Sequence, residues 1–334
     1  MPIVVRNKHT MSDSNLHLSG IHHLTAVTAN AAANLAFYTQ TLGLRLVKKT
    51  VNQDDTNVYH LFYADGDASP GTDITFFEWP MPPEKRGSRS VVRTAFRIDK
   101  ASFPYWQARL TDAKLRAGDI ITRDGRLTID FEDPEGQRLA FVEDTPGVAA
   151  KTWAKSPVPA EHQIHGLGPI TISTRDLEPT EKILKFVMKM KRTREYTITN
   201  NGATATVHVF EMGADGSPTS PATELHVVVE PDLRGHELGA GAVHHVAFRV
   251  PTFDEYDQWA DRLNAAGLRN SGKVDRFYFR SLYFREPGGV LFELATDGPG
   301  FDADEPMETL GENLALPPFL EGQRAEIEKR LKPL

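Results

Sequence analysis

An internal repeat limits the folds open to this chain more than any other feature of its sequence. The segment from Val91 to Arg116, VVRTAFRIDKASFPYWQARLTDAKLR, matches the segment from Val243 to Arg269, VHHVAFRVPTFDEYDQWADRLNAAGLR. Ala95-Phe96-Arg97 falls on Ala247-Phe248-Arg249, and Trp106, Arg109 and Leu110 fall on Trp259, Arg262 and Leu263. Asp133-Pro134-Glu135-Gly136 then falls on Glu286-Pro287-Gly288-Gly289. The offset drifts only from 152 to 153 residues, as a duplicated unit with one insertion would give.

Each unit reads as a strand, a helix and further strands. The stretch 243–250 is β-branched and aromatic, and Pro251 ends it. Phe253, Tyr256, Trp259, Ala260 and Leu263 recur at helical spacing, and Gly267 stands where a helix C-terminus takes a left-handed residue. Strands near 277–284 and 290–295 follow, the second after a Pro-Gly-Gly turn. The same plan appears twice more, so the chain reads as four βαβββ modules over roughly 20–80, 90–144, 166–230 and 242–298. This predicts an α+β fold with curved mixed sheets in two domains, 19–148 and 164–300. Residues 1–18 read as a tail, and the Pro- and Ala-rich 149–163 as a linker. Residues 301–334 read as an extension with a short charged helix, Glu321–Leu331, on a domain edge.

The chemistry lies where the repeats differ. His244 and His245 occupy positions held by Val92 and Arg93 in the second module, and Glu293 faces Ala140. The scaffold itself therefore requires neither His nor Glu there. The first module opens with a second pair, His22-His23, whereas the third opens with Gly168-Pro169-Ile170. A glutamate inside Val290-Leu291-Phe292-Glu293-Leu294 is costly unless paired or bound to metal. From the inner faces of adjoining sheets, His23, His245 and Glu293 form a candidate facial set of two imidazoles and one carboxylate, the pattern of non-haem Fe(II) oxygenases. The same donors suit Mn(II), Co(II) or Zn(II). Strand alternation puts His22 and His244 on the opposite face unless a bulge intervenes, as ligand-supporting groups or packing residues. Glu78, at the end of Thr75-Phe76-Phe77-Glu78, is a rival ligand that reads better as a rim residue.

Composition closes several routes. The chain has no cysteine, so disulfides, thiolate ligands and a cysteine nucleophile are excluded. A formal net charge of −7 argues against a nucleic-acid partner. No apolar run reaches the length of a membrane span or a secretory leader, so a cytoplasmic location is expected. Edge strands and the extension leave room for a homo-oligomer.

The modules and their ligand pattern resemble the vicinal oxygen chelate superfamily, and within it the hydroquinone-type ring-cleaving dioxygenases, including those acting on 2,6-dichlorohydroquinone. The resemblance spans about 19–298. It rests on Gly20-Ile21-His22-His23-Leu24-Thr25, on Tyr38 to Lys49, and on Tyr59-His60-Leu61-Phe62-Tyr63-Ala64-Asp65 with Pro70-Gly71-Thr72. It continues through Val243-His244-His245-Val246-Ala247-Phe248, Arg276, Tyr283 and Pro287 to Glu293. It implies Fe(II) on His23, His245 and Glu293, with Mn(II) as the other candidate. It further implies His22, His244 and Tyr283 as acid–base or hydrogen-bonding residues, with His244 the first choice for moving protons. Arg276 would approach a small aromatic diol, with O2 as co-substrate. The shared fold does not fix the reaction. A glyoxalase- or epimerase-type metalloenzyme, with Glu78 as a fourth ligand, and a non-catalytic binding protein remain the alternatives. The opening of module three, the 301–334 extension and Phe277-Tyr278-Phe279 depart from the dichlorohydroquinone enzymes.

Overall fold

The computed structural model describes residues 16–200 and 202–334. Most of the expected tail lies outside the described residues, but Leu16 and Leu18 are buried.

All four modules follow the expected plan. In the first, β1 (Ile21–Thr28) leads into α1 (Ala31–Ala36), then β2 (Arg45–Asn52), β3 (Asp55–Ala64) and β4 (Asp73–Glu78). Asn30 caps α1 by accepting from the Ala33 amide, and the helix widens into π geometry over Phe37–Thr41. The second has β5 (Ser90–Ile98), α2 (Phe103–Asp112), β6 (Ile121–Arg123), β7 (Arg126–Glu132) and β8 (Arg138–Glu143). The third has β9 (Gly166–Thr174), α3 (Leu177–Lys182), β10 (Lys191–Asn200), β11 (Ala203–Glu211) and β12 (Glu224–Val229). The fourth has β13 (Val243–Val250), α4 (Phe253–Ala265), β14 (Val274–Asp275), β15 (Phe279–Arg285) and β16 (Leu291–Pro299). Thr252 and Glu255 form a capping box on α4, and Gly267 takes φ +69° just beyond it.

In every module the first and fourth strands pair in parallel, and the first strands of two modules pair antiparallel at the sheet centre. The sheets group the modules in a way the repeat does not reveal. One runs β14-β15-β16-β13-β1-β4-β3-β2, joining modules one and four. The other runs β10-β11-β12-β9-β5-β8-β7-β6, joining two and three. The spans 19–148 and 164–300 thus each give one module to each sheet. All four modules present the same first-strand edge, so their likeness says nothing about which edges meet.

Helix faces carrying Trp106, Leu110, Tyr256, Trp259 and Leu263 pack into one core with Leu24, Phe96 and Phe248. The first sheet curls until its outer strands meet: Gln53 Nε2, between β2 and β3, donates to the Arg276 carbonyl beside β14 at 2.8 Å. The extension covers the β2 edge, with the Ala315 amide donating to the Lys49 carbonyl at 2.9 Å. Two short helices, α5 (Pro318–Glu321) and α6 (Arg324–Arg330), follow, and Leu316, Leu320 and Ile327 pack on Val51. Among the described residues no helix is long and apolar enough to cross a membrane.

Candidate metal centre

His23 on β1, His245 on β13 and Glu293 on β16 converge within the first sheet's cup. Their candidate ligand atoms all lie within 4.8 Å of one another. The sequence reading draws these donors from two adjoining sheets, but all three stand on one, because β1 and β13 pair directly. Glu293 Oε2 lies 3.2 Å from His23 Nε2 and 2.8 Å from His245 Nε2. The glutamate is fully buried and the histidines nearly so. Neither carboxylate oxygen nor His245 Nε2 has a partner in hydrogen-bonding geometry. Leaving such atoms unsatisfied costs about 1–3 kcal/mol each, and more for a charged group. A cation among them would satisfy all three, so the donor set fits a divalent metal. Burial acts to raise the Glu293 carboxyl, but the attraction of His23 and His245 brings it well below the usual range.

Two bulges arrange the histidine pairs. Ile21 pairs with Phe248 and His23 with Ala247, which leaves His22 with no opposite residue. Thr25 pairs with His245 and Ala26 with Val243, which leaves out His244. Each pair consequently keeps its rings together: Nδ1 to Nδ1 is 2.8 Å in both, and both pairs meet edge to face at 5.1 Å. Burial, then the neighbouring histidine, brings His22 and His244 down to about 3. The two rings stand behind the candidate ligands and do not line the pocket in front of them.

Tyr283 and Arg276 do line that pocket, with Thr25, Thr50, His60, Phe62, Phe77, Tyr278 and Phe279. Burial, then Glu293, raises the Tyr283 phenol. The Arg276 guanidinium lies 5.6 Å from the Tyr283 ring centre and pairs with Asp54 at 3.0 and 3.2 Å. Glu78 is not with the ligands. It pairs with Thr28, five residues along β1 from His23, roughly 16 Å at strand rise. The sequence reading missed His60, Thr50 and Tyr278 as pocket residues. Strand alternation along β2 and β3 is the signal that could have found the first two.

The second sheet's cup has Arg93, Pro169 and Ala140 where the first has His245, His23 and Glu293. Arg93 and Arg123 pair with Asp130 there. Asp124, Glu224 and His226 also come together. However, Arg126 and Arg194 hold the Glu224 carboxylate, and Arg194 holds Asp124.

Paired half-barrels of repeated βαβββ modules, with metal-type donors on a central strand pair, define a vicinal-oxygen-chelate type of protein. The chain belongs to the Glyoxalase/Bleomycin resistance protein/Dioxygenase superfamily, whose family model matches residues 20–141 and 166–294. Several of its relatives there are named as ring-cleaving dioxygenases. One, "Putative ring-cleaving dioxygenase MhqA" of Bacillus subtilis, is 42% identical over 322 residues, 96% of this chain and 100% of the relative. The "Chlorohydroquinone/hydroquinone 1,2-dioxygenase" of Sphingobium indicum is 30% identical over 319 residues, 93% of this chain and 95% of the relative. A Bacillus subtilis crystal structure titled as a "putative dioxygenase" superposes with a TM-score of 0.84 at 34% identity, covering 95% of this chain and 97% of that one. Glyoxalase I from Zea mays shares the fold, with a TM-score of 0.58 at 13% identity, covering 83% of this chain and 92% of that one.

Proposed function

We propose that this chain is a non-haem Fe(II) dioxygenase that cleaves hydroquinone-type rings, with His23, His245 and Glu293 as its protein ligands. One observation carries the reading: three buried donors converge beside a pocket walled by aromatic side chains, with both Glu293 oxygens and His245 Nε2 lacking hydrogen-bond partners. Three donors of this kind leave positions open for a substrate hydroxyl and O2. Mn(II) would use the same donors. The Sphingobium relative's name favours a hydroquinone over a catechol. An isomerase of the glyoxalase kind would use a further protein ligand, and Glu78, the residue considered for that part, is remote.

When bound, the ion would supply charge that favours an ionised hydroxyl and the electron path that O2 activation requires. The chain's own residues do the rest. Phe62, Phe77 and Phe279 flank the ring and exclude water. Tyr283, kept protonated, donates a hydrogen bond to a developing oxyanion. Arg276, tied to Asp54, brings positive charge to the same wall. His22 and His244 hold the Nδ1 side of each ligand, so we assign His244 to orienting His245 rather than to carrying protons in the pocket.

The test is anaerobic purification with metal analysis, then O2 uptake with hydroquinone and catechol panels. Stoichiometric iron and uptake with para-diols support the reading. Full Fe(II) occupancy without uptake on any diol overturns it, and uptake confined to catechols overturns the substrate class.

A further inference from the structure

Three hydrogen-bonding side chains run across the pocket from β3 to β1. His60 Nε2 lies 2.9 Å from Thr75 Oγ1, which lies 2.8 Å from Thr25 Oγ1. Both threonines are fully buried. Thr25 lines the pocket and is the cross-strand neighbour of His245. The His60 ring is held between Phe62 and Phe77, with centroids 4.0 and 4.3 Å away.

Keeping each of these buried protons in a hydrogen bond restricts this chain to two arrangements. A threonine hydroxyl has one proton to give. If His60 Nε2 carries a proton, it donates to Thr75, Thr75 donates to Thr25, and the Thr25 proton is left to point into the pocket. If Nε2 is bare, every proton points the other way, and Thr25 offers the pocket only lone pairs. The tautomer of His60 therefore decides whether a donor or an acceptor stands beside His245. Burial keeps His60 well below its ordinary range, so the ring is neutral and has one proton to place.

We propose that His60 is a positioning residue whose Nε2–H tautomer aligns Thr75 so that the Thr25 hydroxyl donates into the pocket, to an anionic oxygen held beside His245. The proposal rests on the reading that a hydroxylated ring binds here ionised. Such an oxygen offers only lone pairs, and the reversed chain would set lone pair against lone pair. In this arrangement His60 and Thr75 act through Thr25.

Nitrogen-15 shifts of His60 in Zn(II)-loaded protein read the tautomer directly. Nε2–H is expected, and Nδ1–H overturns the proposal. Anaerobic binding of hydroquinone to the same protein tests the consequence. Thr75→Val cuts the chain and should weaken binding roughly tenfold, the scale of one charge-assisted hydrogen bond. Thr75→Ser should restore it. His60→Phe should match Thr75→Val, and the double variant should be no weaker than either, because one chain is broken once. Metal content should stay constant throughout. Additive losses, or no rescue by serine, overturn the proposal. The tautomer is read without turnover, so this outcome is separate from absent O2 uptake, which instead defeats the functional reading.

Discussion

His22 Nδ1 stands 2.8 Å from His23 Nδ1, and His244 Nδ1 stands at the same distance from His245 Nδ1. A neutral imidazole that coordinates through Nε2 keeps its proton on Nδ1. Each ligand would therefore donate to its neighbour, which must be bare at Nδ1. One tautomer is thus fixed twice over by a pseudo-symmetric pair of contacts.

The first prediction follows from those contacts. His22→Ala and His244→Ala should each lower metal affinity by about 10- to 100-fold, as loss of a group orienting a ligand typically does. Chelator competition with Zn(II) or Co(II) measures this. A change of less than twofold in both variants means the second histidines only pack.

Glu293 makes a second case. Its oxygens are buried without hydrogen-bonding partners, so metal-free protein carries a cost there that metal relieves. Free metal at 100 times its Kd should stabilise the fold by about 2.7 kcal/mol. Chelation should accordingly lower the melting temperature of the wild type. Glu293→Gln should lose most metal binding and become insensitive to chelator. His23→Ala and His245→Ala should likewise lose metal and activity. Equal chelator shifts in wild type and Glu293→Gln would remove the carboxylate from the ligand set.

Much of this was legible in the sequence because duplication provides an internal control. Val92 and Ala140 stand where His244 and Glu293 do, which marked those residues as additions to the scaffold. The same control extends to turns. Asp133 and Glu286 sit at matched positions, and each accepts two backbone amides of its own turn. What stayed hidden depends on long-range pairing. The donor set itself calls for modules one and four to meet, but nothing local distinguishes the β1 edge from the β5 edge, so their joining in one continuous sheet was not visible. The bulge at His244 has a counterpart at Val92, where β5 and β9 also lose register. It belongs to the scaffold and leaves no sign in residue type. His60 reads as one more strand histidine until β3 is placed against β4.

Lys48 gives a prediction about the extension. Its side chain is fully buried, paired with Asp304 at 2.7 Å and Glu305 at 2.5 Å, and its ammonium lies 4.7 Å from the Tyr278 ring centre. Tyr278 also donates to Asp304, at 2.8 Å. Asp304→Asn with Glu305→Gln leaves that ammonium without counter-charge, which should cost about 3–5 kcal/mol. Lys48→Met in the same background should recover much of the loss, because no unpaired charge remains. Urea unfolding of the three proteins decides it. A double variant as stable as wild type would show that the pairing is dispensable.

Asp133 should give the fold a pH dependence of unusual sign for a carboxylate. Burial raises its carboxyl from 3.8 to about 6, although the amides of Glu135 and Gln137 donate to it at 2.9 and 2.8 Å. The folded state therefore binds the proton more tightly than the unfolded state. Well below pH 3.8 both states are protonated and the group costs nothing. The cost grows as pH rises from about 4 to about 6, and above that it is constant at about 3 kcal/mol. Asp133→Asn keeps an oxygen for the two amides and cannot ionise. Asp144, whose carboxyl His165 and Arg97 draw below its usual range against its burial, contributes with the opposite sign. That contribution is common to both proteins and cancels in their difference. The stability of wild type relative to Asp133→Asn should thus fall by up to about 3 kcal/mol between pH 4 and pH 6.5. Urea melts at half-unit intervals measure it. A flat difference would mean that Asp133 ionises in the folded protein as readily as in the unfolded chain.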